Sequence, residues 1–183
     1  MKAVNIDHSN RLWAISDLLE TEQVNHIINL PWHEFPWSRN TLQDNWLRRR
    51  IDSEHPEVQL VSSWIDDKLK DINLSIGTNF ARSHGVWWLD EPGFSCPMHT
   101  DGHLPNAMQI YWLAANEDLG TSFYHHKIQH KDYLRQMFPS KTNSGYLMLN
   151  HREIDGSQPL QWHGMFNRVP ENTYRLSSYW YFE

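Results

Sequence analysis

The stretch YRLSSYWYF, residues 174–182, decides how this 183-residue chain is built. Alternate residues of a strand point to opposite faces. Arg175, Ser177, Tyr179 and Tyr181 therefore share one side, and Leu176, Ser178, Trp180 and Phe182 the other. Leu, Trp and Phe suit packing against helices, which turns the Arg175 face into the interior of a sandwich or barrel. A guanidinium there requires an anion, and no acidic residue on this strand supplies one. Its planar fork matches a carboxylate, and the Ser177 hydroxyl adds a donor to the same oxygen pair. Two explanations stand. An Asp or Glu from elsewhere pairs with Arg175, or the position receives one end of a small dicarboxylic acid.

The runs upstream have the same character. GVWWLD, NAMQIYWLAA, TSFYHHKI, GYLMLN and PLQWHGMF are short, aromatic or branched, and separated by Pro, Gly, Asn or Asp. Short strands with turn signals between them point to an antiparallel sandwich or barrel. Helices come earlier. TEQVNHIINLPW (21–32) carries Val24, Ile27 and Ile28 at helical spacing, with Thr21 expected as N-cap and Pro31 as terminator. PEVQLVSSWIDDKLKDI (56–72) starts with Pro56 and places Val58, Val61, Ile65, Leu69 and Ile72 on one stripe. RLWAISDLL (11–19) and NWLRRRI (45–51) read as strands. The expected fold class is α+β, dominated by β structure and braced by N-terminal helices. The expected organisation is one domain over 1–183, with helical support to about residue 78 and a β core over about 79–183.

Bulk composition bounds the function. Hydrophobic residues make up 39% and charged residues 21%, as in ordinary globular proteins, while ten Trp suit a barrel wall or a wide pocket. A net charge of −6 argues against a general nucleic-acid binder. The one basic cluster, Arg48-Arg49-Arg50, reads as a solvated strand edge. Cys96 is the single cysteine, which excludes an internal disulfide and fits a reducing, cytoplasmic location. The opening MKAVNIDHSNRLW carries no apolar run, so no signal peptide is expected, and no run reaches the ~18 apolar residues of a membrane span. Oligomeric state is not legible.

PMHTDG (97–102) sets His99 and Asp101 two residues apart, so both can face one metal ion. Two His and one carboxylate with open positions is the ligand set of non-haem Fe(II) oxygenases. The second histidine must come from elsewhere. His103 would string three ligands along one strand at ~3.3 Å per residue, too far apart for one ion. His125, His126 and His130 surround a polar turn and read as solvated. His151 ends a strand-like run, and His163 lies within another, where a buried polar side chain needs a partner. On the residues alone, His163 is a ligand or a core histidine bonded to a backbone carbonyl. Cys96 reads as a small buried hydrophobe.

Taken together, His99-x-Asp101, a distal histidine and Arg175-x-Ser177 on the last strand resemble the 2-oxoglutarate- and Fe(II)-dependent dioxygenases. DEPGF (90–94), IYWLAAN, LGTSFYHH and YWYF are similar to segments of the prolyl-hydroxylase-like branch, so the resemblance covers roughly 80–183. His163 stands 62 residues beyond Asp101 and 12 before Arg175, whereas His151 would leave 24, longer than is usual in the family. Two positions depart from that branch: Gly120 stands alone where two glycines are frequent, and Asp90 occupies a position often held by Tyr. The Arg-x-Ser pair is also more typical of other branches.

The resemblance implies a double-stranded β-helix, the jelly-roll or cupin-like barrel, and Fe(II) held by His99, Asp101 and His163. It implies 2-oxoglutarate as cosubstrate with its far carboxylate on Arg175, assisted by Ser177 and Tyr111, and O2 as oxidant. Hydroxylation of a protein or peptide side chain such as proline, or of a small metabolite, would accompany decarboxylation to succinate. Trp87, Trp88 and Trp112 are either core-packing residues or lining for the substrate approach, with Trp88 and Trp112 the candidate substrate contacts; neither nucleic acid nor membrane is an expected partner. The competing readings are a zinc hydrolase on the same ligands, a non-catalytic barrel binding a small acid, and a structural jelly roll.

Overall fold

The computed structural model describes residues 1–5, 11–39, 47–52, 54–102, 104, 106–128, 130–150, 156 and 160–183. Its strands are β1 (Lys2–Asn5), β2 (Leu12–Ser16), β3 (Ser38–Arg39), β4 (Arg48–Asp52), β5 (Arg82–Asp90), β6 (Cys96–His99), β7 (Asn106–Leu113), β8 (Thr121–Tyr124), β9 (Leu134–Phe138), β10 (Ser144–Met148), β11 (Trp162–Met165) and β12 (Arg175–Phe182). Its α-helices are α1 (Thr21–Ile28) and α2 (Pro56–Ile76). The strands form two antiparallel sheets, ordered β1-β2-β10-β7-β12-β5-β4-β3 and β6-β11-β8-β9.

The helices form where the sequence carries an apolar stripe. On α2, Val58, Val61, Ile65, Leu69 and Ile72 are all buried, as the spacing predicts. The His55 ring accepts from the Glu57 N–H at the start of the helix, and Gly77, at φ 71°, ends it in a left-handed conformation. On α1 the N-cap is Glu20 rather than Thr21. The Gln23 side chain accepts from the Glu20 N–H at 3.0 Å, the arrangement of a capping box.

The expected two faces of β12 are present. Leu176, Trp180 and Phe182 join the core that α1 and α2 build on the outside of the large sheet. Trp87, Trp112 and Trp32 lie in the same core. Trp32 stacks on Trp87 with ring centroids 4.7 Å apart, and Trp87 stacks on Trp112 at 5.8 Å. The other face of β12 looks toward the small sheet. Between the sheets Leu12, Tyr111, Phe123, Phe138, Tyr146 and Met148 make a second cluster.

Three expectations change here. Trp112 is not a substrate contact: it is fully buried in the helix-side core and donates its indole N–H to Ser178 Oγ at 2.9 Å. Arg48-Arg49-Arg50 is not a solvated edge, because β4 pairs with β3 on one side and β5 on the other. Arg48 is ion-paired with buried Asp90, and Arg49 with Glu91. Finally, β1, β3 and β9 are strands that alternation does not announce. No helix among the described residues is long and apolar enough to cross a membrane.

Candidate metal centre and carboxylate site

His99, Asp101 and His163 come together because β6 and β11 pair. His163 lies directly opposite His99 in the antiparallel register, and Asp101 follows just past the end of β6. Gly164 allows this approach: a Cβ there would sit 2.8 Å from the Cys96 carbonyl oxygen. One ligand atom from each of the three side chains lies within 4.8 Å of the others. His99 Nε2 is 3.6 Å from Asp101 Oδ1, and His163 Nε2 is 3.6 Å from Asp101 Oδ2.

The orientation of both rings is fixed from behind. His99 Nδ1 donates to the Pro97 carbonyl at 2.8 Å, and His163 Nδ1 to the Gln161 carbonyl at 2.9 Å. That leaves each Nε2 directed at Asp101, and an Nδ1–H held in this way is the tautomer a metal ligand needs once Nε2 gives up its proton. Phe123 stacks on the His163 ring at 5.0 Å, and the Tyr179 hydroxyl donates to Asp101 Oδ2 at 2.6 Å. Burial alone would push the Asp101 carboxyl up. The hydrogen bond and charge of His163, the charge of His99 and the Tyr179 hydroxyl outweigh it and hold Asp101 well below the usual carboxylate range. Burial works against the His99 cation, but contact with Cys96 and the charge of Asp101 raise its pKa to about 9. Two imidazoles and one carboxylate converging with pre-set tautomers fit a divalent transition metal.

Arg175 lies inside the sandwich, 1% exposed, as the sequence requires. Its anion is Asp90, which the β12–β5 register places opposite it. Arg175 Nε and Nη2 reach Asp90 Oδ2 at 2.7 and 2.6 Å, and Nη1 donates to the Leu119 carbonyl at 2.6 Å. The pairing with an acid from another strand is therefore real. It does not exhaust the site, because Arg48 reaches the same carboxylate from β4, at 2.5 Å from Nε and 3.1 Å from Nη2. Burial opposes ionisation of Asp90, yet Arg48 and Arg175 together keep it below the ordinary carboxylate range.

One cavity of about 440 Å³ joins the two clusters. It is lined by His99, Asp101 and His163, by Arg48 and Arg175, and by Trp88, among others. Ser177 and Tyr111 lie in the wall behind it. Ser177 Oγ accepts from Gln109 Nε2 at 3.2 Å, and the Tyr111 hydroxyl shares a 2.6 Å hydrogen bond with Thr121. Trp88 lies under the Arg48 guanidinium, 4.9 Å from ring centroid to Cζ. His125, His126 and His130 are exposed, whereas His103 and His151 lie outside the described residues. Cys96 packs with Phe94, Leu119, Met165 and Val169, and its Sγ also lies 3.7 Å from His99 Nδ1. Sequence reasoning missed Arg48; the signal that could have found it was Asp90, an acid inside a strand otherwise made for burial.

The sequence matches no protein-family model and no curated protein. Solved structures do share its architecture. The non-haem alpha ketoglutarate dependent epimerase SnoN from nogalamycin biosynthesis is 9% identical with a TM-score of 0.67, covering 96% of this chain and 79% of SnoN. The viral collagen prolyl hydroxylase vCPH from Paramecium Bursaria Chlorella virus-1, solved with 2OG, is 13% identical at TM-score 0.62, covering 94% of this chain and 95% of that one. HygX from Streptomyces hygroscopicus, solved with nickel and 2-oxoglutarate, is 10% identical at TM-score 0.65, covering 95% and 83%. At these identities the likeness establishes the fold. The chain is a double-stranded β-helix of the kind seen in 2-oxoglutarate-dependent non-haem iron enzymes, prolyl hydroxylases included.

Proposed function

We propose that this protein is an Fe(II)- and 2-oxoglutarate-dependent oxygenase. The observation that carries the reading is a single cavity lined both by the two-histidine, one-carboxylate set and by the buried Arg175. Nε2 of His99, Nε2 of His163 and the Asp101 carboxylate would hold the metal. Arg175 would receive the far carboxylate of the cosubstrate. When bound, iron with 2-oxoglutarate supplies the activation of O2 that oxidises a C–H bond as 2-oxoglutarate becomes succinate and CO2.

The protein's own residues bind, orient and exclude. The Pro97 and Gln161 carbonyls hold the two rings in the ligating tautomer. The Tyr179 hydroxyl fixes the Asp101 carboxylate, and Phe123 covers the His163 face against water. Gln109, Tyr111, Thr121 and Ser177 form a hydrogen-bonded wall behind the cosubstrate site. Trp88 lines the approach of the second substrate, a peptide side chain such as proline or a small metabolite. A zinc hydrolase could use the same three ligands but has no need of a guanidinium in the same cavity.

Anaerobic titration with Fe(II) and then 2-oxoglutarate tests the reading. A visible charge-transfer absorption that needs both components is expected, together with succinate formation on admitting air. A protein that binds iron but never develops the band would rule the oxygenase out.

A further inference from the structure

We infer that Arg48 is a second guanidinium of the carboxylate site, and that Arg48 and Arg175, set as a pair by Asp90, select a keto acid with a distal carboxylate. The inference rests on the oxygenase reading and adds to it a residue from the N-terminal part of the chain.

Arg48 lies opposite Asp90 in the β4–β5 pair, and Asp90 opposite Arg175 in the β5–β12 pair, so the three side chains form one row across the sheet. Asp90 is 0% exposed, and the side chains of Arg48 and Arg175 are 12% and 2% exposed. One buried and one largely enclosed cation thus face one buried anion. Neutralising Arg175 alone would need Asp90 and nothing more; a second guanidinium brings back a net positive charge that is costly unless another anion joins.

Charge and donor geometry both point to that anion. A guanidinium carries five N–H groups in a fixed fork. Arg48 gives Nε and Nη2 to Asp90, while its Nη1 makes no hydrogen bond among the described residues. Its Cζ lies over both the Phe94 and the Trp88 ring, 4.3 and 4.9 Å from their centroids, and these contacts with the two bonds to Asp90 orient the fork. Both Arg48 and Arg175 line the cavity that holds the metal ligands. A divalent ion on Asp101 leaves one positive charge, and the Arg48–Asp90–Arg175 row leaves another. A keto dicarboxylate carries one negative charge for each. Asp90 accepts from both guanidiniums and is the spacer that holds the two like charges aligned.

The test compares two keto acids on the Fe(II)-loaded protein under anaerobic conditions: 2-oxoglutarate, and 2-oxovalerate, which has the same chelating end and no distal carboxylate. In Arg48→Met the Kd for 2-oxoglutarate should rise at least about tenfold, the loss expected for a charge-assisted pair, while that for 2-oxovalerate should stay within about twofold. Arg48→Lys should recover part of the discrimination. Iron affinity without keto acid reports whether each variant is folded; if Arg48→Met is not, Arg48→Gln takes its place. Unchanged discrimination overturns the inference and leaves the oxygenase reading intact. An equal loss for both keto acids also overturns it, by assigning Arg48 a purely structural role. Wild-type protein that binds neither keto acid removes the oxygenase reading itself.

Discussion

Replacing Asp90 by Asn keeps the shape of the side chain and removes the one negative charge that, among the described residues, pairs with both the Arg48 and the Arg175 guanidinium. The magnitude follows from burial. Asp90 is fully enclosed and receives four close contacts from Arg48 and Arg175, so its loss leaves uncompensated charge in a low-dielectric site. Breaking a buried pair in this way costs about 3–5 kcal/mol, a large part of the roughly 5–15 kcal/mol that holds a domain folded. For a chain of this length that corresponds to a fall in Tm of about 6–20 °C. Urea unfolding followed by tryptophan fluorescence measures it. Asp90→Asn combined with Arg48→Met leaves one unpaired cation instead of two and should recover roughly 1–3 kcal/mol relative to additivity. Acid should act through the same group. The folded carboxyl lies below its ordinary value near 3.8, so its contribution is present above that pH and lost as pH falls below it. Asp90→Asn should flatten that acid limb. A loss under about 1 kcal/mol, or strictly additive double-variant behaviour, would refute the charge-row argument.

His163→Ala should abolish the Fe(II)–2-oxoglutarate absorption, and its persistence would transfer the ligand role to another histidine. Arg175→Ala should weaken 2-oxoglutarate binding far more than iron binding, by at least about tenfold in Kd; calorimetric titration with each ligand separates the two. Since the His99 pKa is raised to about 9 in the metal-free protein, metal uptake must displace a proton below that pH. Apparent metal affinity should therefore rise with pH up to about 9, and proton release measured in buffers of different ionisation enthalpy checks this. Gly85→Ala places a methyl group in the Trp180 ring and should cost about 1–3 kcal/mol by denaturant unfolding.

What the sequence made legible is what local periodicity carries. The two faces of β12 and the stripe of α2 need only the neighbouring residues, and both appear as expected. His99 and Asp101 were paired by their spacing alone, whereas the choice of His163 as the third candidate ligand rested on the family resemblance. The alternation that turns Gln109 and Tyr111 inward sends Trp112 to the helix side. Arg48 was out of reach because its partner is 42 residues away, and only the β4–β5 register makes them neighbours. β9 was missed for a similar reason: LRQMF has no clean alternation, and its place depends on pairing with β8. The start of α1 turned on adjacent residues, Glu20 and Thr21, both able to cap.

The last of the described strands, β12, is an inner strand of the large sheet, hydrogen-bonded to β7 on one side and β5 on the other. Until it arrives, the remaining ladder is in two parts, β1-β2-β10-β7 and β5-β4-β3, each ending in an open rim of unpaired amides and carbonyls. During vectorial synthesis the polypeptide must therefore wait, with those rims available to other nascent chains, until the ribosome has released residues 175–182. A message truncated just short of that point would yield two adhesive half-sheets rather than a smaller working protein.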